Sequence, residues 1–249
     1  MNTKLTTLAP ARFSKAYPIL RLAALLLWAA LPTALPAQGQ SYLPPGRPDP
    51  AILLAPPPLP GSAEQAADLA EVIAVHDSCG SNETAVAFSE KKFSVFNFKP
   101  AVGEFFEADT LPKTEAFFYR VQKEAAVVAN AGKDYWRRPR PYTVEPRLAA
   151  GKLEKSFGYP SGHAAEGMTL ALVLAEVFQE KREEILAIGR NLGWHRVCIG
   201  RHYPTDIYAG RVLAQAIVRE LKASPAFQKD LAEVKAEVAA ARAAASKGK

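Results

Sequence analysis

The sequence predicts an all-α chain folded as a single-domain helical bundle, on three observations. About 49% of the 249 residues are hydrophobic and 22% are charged, the mixture of a globular domain rather than of a fibre or a disordered tail. From Ser62 onward apolar residues recur at helical spacing, and no alternating strand pattern stands out. No internal repeat is visible, so a bundle is expected in place of a solenoid.

Taken in chain order, residues 1–37 hold Lys4, Arg12, Lys15 and Arg21, no acidic residue, and an apolar stretch from Leu22 to Leu31. Ten apolar residues fall short of the roughly 20 needed to span a bilayer. A cleaved secretory signal ending near Ala37 is the preferred reading, with an uncleaved anchor as its alternative. No Cys lies near the cut, which disfavours a lipoprotein, and no later apolar run approaches spanning length. An exported, periplasmic or secreted mature chain is expected.

Residues 38–61 are Pro-rich, including Pro44-Pro45 and Pro56-Pro57-Pro58. Such sequence favours extended polyproline conformation, so an arm is expected, packed on the domain through Ile52-Leu53-Leu54. Residues 62–249 form the helical domain. Leu69, Val72, Ile73 and His76 share one helical face, as do Phe117, Val121, Ala125 and Val128 on a helix ending near Asn130. Further helices are expected over about 84–97, 162–180, 182–200, 204–222 and 226–245. The last, rich in Ala, Lys and Glu, suits a solvent-facing position.

The formal charge of +6 is concentrated at the N-terminus, since beyond residue 37 there are 27 basic against 25 acidic residues. That near-balance argues against a nucleic-acid partner, whose backbone asks for a clustered basic face. Two cysteines, Cys79 and Cys198, are too few for a disulfide scaffold. An exported compartment permits a bond, but Cys198 falls in a helical apolar pattern and reads better as a free, buried hydrophobe.

Three segments depart from ordinary bundle sequence. Lys133-Asp-Tyr-Trp-Arg-Arg-Pro-Arg140-Pro141 packs several cations into a proline-broken turn; alone it reads as a solvated basic loop. In Tyr159-Pro160-Ser161-Gly162-His163, Ser161 is a good N-cap, and the free amides of Gly162 and His163 would stand at the positive end of a helix, a ready anion site. In the third, Arg196 continues the apolar stripe of Ile185, Ile188 and Leu192, so its guanidinium points inward and needs an anion or a carboxylate. His202 and Asp206 are four apart around Pro204, which lets the carboxylate fix the imidazole tautomer and leave the other nitrogen nucleophilic. The four histidines, His76, His163, His195 and His202, show no His-x-x-x-His spacing, and the neighbouring Lys and Arg residues would repel a divalent cation. Metal-free phosphate chemistry, with no cofactor, is the expectation.

Lys-x6-Arg-Pro, Pro-Ser-Gly-His and Arg-x5-His-x3-Asp, in this order, resemble the signature of the type 2 phosphatidic acid phosphatase (PAP2) and vanadium haloperoxidase superfamily, and within it the class A bacterial non-specific acid phosphatases. Leu53-Leu54-Ala-Pro-Pro-Pro and Leu111-Pro-Lys-Thr-Glu-Ala-Phe-Phe extend the likeness over nearly all of the mature chain. The family usually has Ser where this chain has His195, a departure outside the family's phosphate ligands.

The resemblance implies the PAP2/haloperoxidase type of helical bundle. It implies His202 as nucleophile, forming a phosphohistidine, Asp206 as its orienting partner and His163 as the proton donor and acceptor. Lys133, Arg140, Arg196 and the amides of Ser161 and Gly162 would hold the phosphoryl oxygens. The implied activity is acid phosphatase, with phosphomonoesters and inorganic phosphate as ligands and phosphotransfer to alcohols as a further capacity. A vanadium-dependent haloperoxidase, a lipid phosphatase and a non-catalytic phosphate-binding protein are the alternatives. A homo-oligomer is compatible with the sequence, and Tyr135, Trp136, Tyr159 and Tyr203 receive no role.

Overall fold

The computed structural model describes residues 41–247; the expected signal segment lies outside them. Among the described residues there are nine α-helices and short 3-10 turns, with no strand. They are α1 (Pro50–Leu53), α2 (Ala63–Ser78), α3 (Ser81–Ser89), α4 (Lys99–Val102), α5 (Pro112–Trp136), α6 (Gly162–Leu174), α7 (Arg182–Cys198), α8 (Pro204–Ala223) and α9 (Pro225–Lys247). The all-α expectation holds, with shorter elements at two places. The helix expected over 84–97 is α3 followed by a separate 3-10 turn at Val95–Phe98, and the helix expected over 162–180 ends at Leu174. None of the described helices is long and apolar enough to cross a membrane.

α6 is the centre of the bundle. Its residues Ala164, Ala165, Met168, Leu170, Ala171, Val173 and Leu174 are all buried, as expected of a helix that is apolar around its whole circumference. It packs on α5, α7 and α8, and the approach is close because two neighbours present glycine. A Cβ on Gly189 of α7 would stand 2.5 Å from the Ala171 Cβ, and one on Gly210 of α8 would stand 2.7 Å from the Ser161 carbonyl oxygen.

α5 is amphipathic and buries Phe117, Phe118, Val121, Ala125, Val128 and Ala129. It does not stop near Asn130. Lys133, Asp134, Tyr135 and Trp136 are compatible with helix, and termination waits for Arg137, whose left-handed backbone (φ 48°) lets its N–H donate to Lys133 O at 3.0 Å. α9 is docked as well as solvent-facing, since it buries Phe227, Leu231, Val234 and Val238. Its Glu237 carboxylate accepts the Lys113 and Thr114 amides at 3.0 and 2.7 Å, meeting the unpaired N–H groups and positive end of α5.

The Pro-rich arm packs on the domain through other residues than expected. Ile52 and Leu53 are exposed and Leu54 is buried. The anchor is Tyr42, whose amide and that of Leu43 donate to the Glu124 carboxylate at 2.8 Å each, and whose hydroxyl donates to Asp230 at 2.5 Å. The arm also contains one helical turn, α1, because Asp49 accepts from Ala51 N at 2.9 Å and Pro50 occupies a first-turn position where it has no N–H to lose. Cys198 is not free. It is bonded to Cys79, with Cα atoms 5.9 Å apart, since the start of α3 lies against the end of α7, a proximity that helical periodicity within α7 cannot report.

Candidate active site

The three segments meet at the end of the bundle where α5 and α7 terminate and α6 and α8 begin. Ser161 caps α6, its hydroxyl accepting from Ala164 N at 3.3 Å. Its own amide donates to Asp206 O at 3.0 Å, so that amide is already satisfied. The Gly162 and His163 amides, which the capping pattern puts at the positive end of α6, have no acceptor among the described residues, whereas the Ser161 amide that the resemblance implies as a phosphate donor is already used.

Asp206, fully buried in the first turn of α8, accepts from His202 Nδ1 at 3.1 Å, from Tyr203 N at 3.0 Å and from Arg138 Nη1 at 2.7 Å. Burial raises its carboxyl above the usual range, with Arg138 the largest opposing influence; all three partners are donors, which is the set an ionised carboxylate takes. With Nδ1–H committed to Asp206, the lone pair of His202 lies on Nε2, where Arg140 Nη1 donates at 3.1 Å. Burial first, then Arg140, holds His202 well below the ordinary imidazole range, so the ring is neutral. A neutral, tautomer-fixed imidazole nitrogen facing a guanidinium is equipped to attack an anionic centre.

Lys133 and Arg140 are buried, not solvated. The Lys133 ammonium donates to Pro160 O, Phe157 O and Gly158 O at 2.8, 3.2 and 3.4 Å, and burial, followed by Arg140, brings its pKa down to about 7. Arg140 also donates through Nε to Ser156 O at 2.8 Å and through Nη1 to Arg201 O at 3.0 Å. Arg196 points inward as its register implied, and its partner is a carboxylate, Glu154, at 3.0 Å.

His163 lies one residue into α6. Its Nε2 pairs with Glu90 O at 3.2 Å, and the Phe93 ring sits 5.4 Å away. Burial and then the charge of Arg196 lower its pKa to about 3. It opens onto a cavity of about 520 Å³ lined also by Lys91, Phe93, Tyr119, Gln122 and Glu166.

Five contributors escaped sequence reading. Arg138 joins Asp206 to the buried Asp68 at 2.7 Å and lies 3.9 Å over the Tyr203 ring. Glu154 pairs with Arg196 and Arg201, and Glu90 contacts both His163 and His195. The run Arg137-Arg138-Pro139-Arg140 gave a signal for Arg138 without distinguishing it from Arg137; Asp68, Glu90, Glu154 and Arg201 carried none. Tyr203, left without a role, lies beneath Arg138, and the Tyr159 hydroxyl donates to Ala55 O at 2.6 Å in the arm.

Residues 124–228 match the model of the PAP2 superfamily. The chain is 34% identical over 147 residues to the non-specific acid phosphatase of Salmonella typhimurium, covering 57% of this chain and 59% of that protein. It is 29% identical over 206 residues to the acid phosphatase of Zymomonas mobilis, covering 79% of this chain and 78% of that one. A solved structure, the transmembrane PAP2-type phosphatidylglycerolphosphate phosphatase of Bacillus subtilis, aligns with 70% of this chain and 89% of its own at TM-score 0.48 and 20% identity.

Proposed function

We propose that the chain, whose residues 124–228 match the PAP2 superfamily model, is a member of that superfamily and an exported, metal-independent acid phosphatase acting on phosphate monoesters through a phosphohistidine at His202. The observation that carries the reading is the line Asp206–His202–Arg140, which leaves the Nε2 lone pair of a neutral imidazole beside a buried guanidinium.

In this reading the phosphoryl group lies among Arg140, Arg196, Lys133 and the amides of Gly162 and His163. These donors supply the charge compensation that dominates phosphoryl transfer. His202 Nε2 bonds to phosphorus as the P–O bond to the alcohol breaks, and the leaving oxygen takes a proton from His163. Water then attacks phosphorus, giving its proton to His163, and the P–N bond breaks to release phosphate. An alcohol in place of water would give phosphotransfer. His163 is neutral in the empty site, and an incoming phosphate adds the negative charge that raises its proton affinity. The name of the Salmonella typhimurium relative, a non-specific acid phosphatase of whose length this chain covers 59%, supports the substrate class, and the disulfide suits an oxidising, extracytoplasmic compartment.

Turnover of p-nitrophenyl phosphate in strong chelator, inhibited by vanadate, is the test. His202→Ala should form no acid-labile phosphoenzyme from an activated aryl phosphate. His163→Ala should form it and hydrolyse it at least about 100-fold more slowly, the usual range for loss of a general base. Phosphoenzyme in His202→Ala, or activity that requires an added divalent ion, would refute the mechanism.

A further inference from the structure

His195 lies beside Arg196 in the last turn of α7, and its environment gives it a task. α3 is a two-turn helix that packs on α7, followed by Glu90 and the exposed Lys91 and Lys92. A helix this short has little stability of its own, so its end frays unless side chains hold it. Three contacts hold this one. Arg196 Nη1 donates to Ala87 O at 3.0 Å, His195 Nδ1 pairs with the Glu90 carboxylate at 2.7 Å, and the Glu90 carbonyl meets His163 Nε2 at 3.2 Å. The side chains of His195 and Glu90 are only 14% and 12% exposed, so their bond is not a loosely solvated surface pair.

The last of these contacts bears on chemistry. A carbonyl oxygen only accepts, so His163 Nε2 must carry hydrogen, and the neutral ring keeps its lone pair on Nδ1. Glu90 therefore presents two surfaces. Its backbone oxygen selects the His163 tautomer and orients the ring, while its carboxylate is pinned by the neighbour of a core arginine on α7.

We infer that His195 and Glu90 form a positioning pair for His163, the His195–Glu90 bond fixing the carbonyl that in turn fixes which imidazole nitrogen exchanges a proton with the substrate. The inference rests on the phosphatase reading for the proton's destination, and on geometry alone for the tautomer. Loss of the bond should leave the His202 nucleophile and its cations intact and impair only proton transfer. The damage should therefore scale with the leaving group's need for a proton.

The experiment compares the full mature chain with its His195→Ala and His195→Asn variants, the Asn amide being able to donate to Glu90 as Nδ1 does. For His195→Ala the pre-steady-state burst with p-nitrophenyl phosphate, whose leaving group needs little protonation, should stay within about twofold of the parent, while kcat/KM for an alkyl phosphate falls by about tenfold or more, part of the range assigned to general acid–base catalysis. His195→Asn should restore most of the alkyl rate. Ring 15N NMR of His163, read in chelator without substrate, should show the Nε2–H tautomer in the parent and His195→Asn, and a mixture in His195→Ala. Equal losses on aryl and alkyl substrates, failure of Asn to rescue, or an unchanged tautomer would overturn the pair. If the parent neither hydrolyses nor is labelled by any phosphomonoester, the phosphatase reading fails, and the tautomer measurement still decides the pair. Should His195→Ala not fold, Glu90→Ala breaks the same bond from the other side and takes the same readings.

Discussion

Replacing Arg138 by Ala removes a cation that joins two buried carboxylates, Asp68 and Asp206. Arg138 is 4% exposed and donates to Asp206 Oδ1, Asp68 Oδ2, Thr205 Oγ1 and Gln65 Oε1 at 2.7, 2.7, 2.6 and 2.8 Å. Asp68 and Asp206 are themselves 6% and 0% exposed. Breaking a buried pair by deleting one partner costs about 3–5 kcal/mol, because the other charge stays buried. For a chain of this size that is about 6–20 °C in Tm, at roughly 2–4 °C per kcal/mol. The deficit should depend on pH with a definite sign. Burial already raises the Asp206 carboxyl, and Arg138 is its main opponent; without it the folded-state pKa rises further above the unfolded one. A carboxyl raised in the fold contributes stability below its unfolded pKa and loses it as pH climbs through the folded value. The variant's deficit should thus be larger at pH 7.5 than at pH 4.5. Adding Asp68→Asn should recover part of the loss at pH 7.5. Urea unfolding followed by circular dichroism measures each quantity. A deficit under about 1 kcal/mol, the scale of a solvated surface pair, or one that is equal at the two pH values, would refute the reasoning.

Two other outcomes follow from packing and from the covalent bond. Gly210→Ala places a Cβ 2.7 Å from Ser161 O and 2.8 Å from Ala164 Cβ, so it should cost about 1–3 kcal/mol of stability, the usual scale for overpacking, and lower activity by shifting the turn that presents Gly162 and His163; parental stability and rate would count against the close approach. Exported material should begin near Gln38 and contain no free thiol, and Cys198→Ser should lower stability by roughly 2–4 kcal/mol because the bond closes a separation of 119 residues. Mass spectrometry with thiol labelling decides the first part, where an intact Met1 or two reactive thiols would reject it, and thermal unfolding decides the second.

What the sequence revealed and what it hid divide along a physical line. Helices declare themselves through local periodicity, which is why α5, α7, α8 and α9 were legible. A cap is equally local, and Ser161 does cap α6. Pairings across the chain leave no local trace. Cys198 reads as a buried hydrophobe because it is one, at 1% exposure; that its sulfur also meets Cys79 depends on α3 lying beside α7. Helix ends fall between these cases. Lys133 reads as loop because prolines follow it, yet Pro139 disfavours helix only near itself and the residues before Arg137 are free to continue it. The family resemblance implies the Ser161 amide as an anion donor; its use by the Asp206 carbonyl depends on the approach of α8.

Asp206 explains why three short and separately weak patterns are specific in combination. Its carbonyl oxygen accepts from the Ser161 amide of the second segment, Oδ1 accepts from Arg138 of the first, and Oδ2 accepts from His202 and the Tyr203 amide of its own. A fully buried carboxylate cannot exchange a missing partner for water, so each segment must arrive in register for the others to be satisfied. The spacing between Lys133 and Arg140, the Pro-Ser-Gly-His turn and the four-residue step from His202 to Asp206 are then one constraint imposed three times on the sequence. Arg140 and Lys133 join the same network through His202 Nε2 and the Pro160 carbonyl. The His202 tautomer, the α6 cap and the buried cations are thereby fixed together.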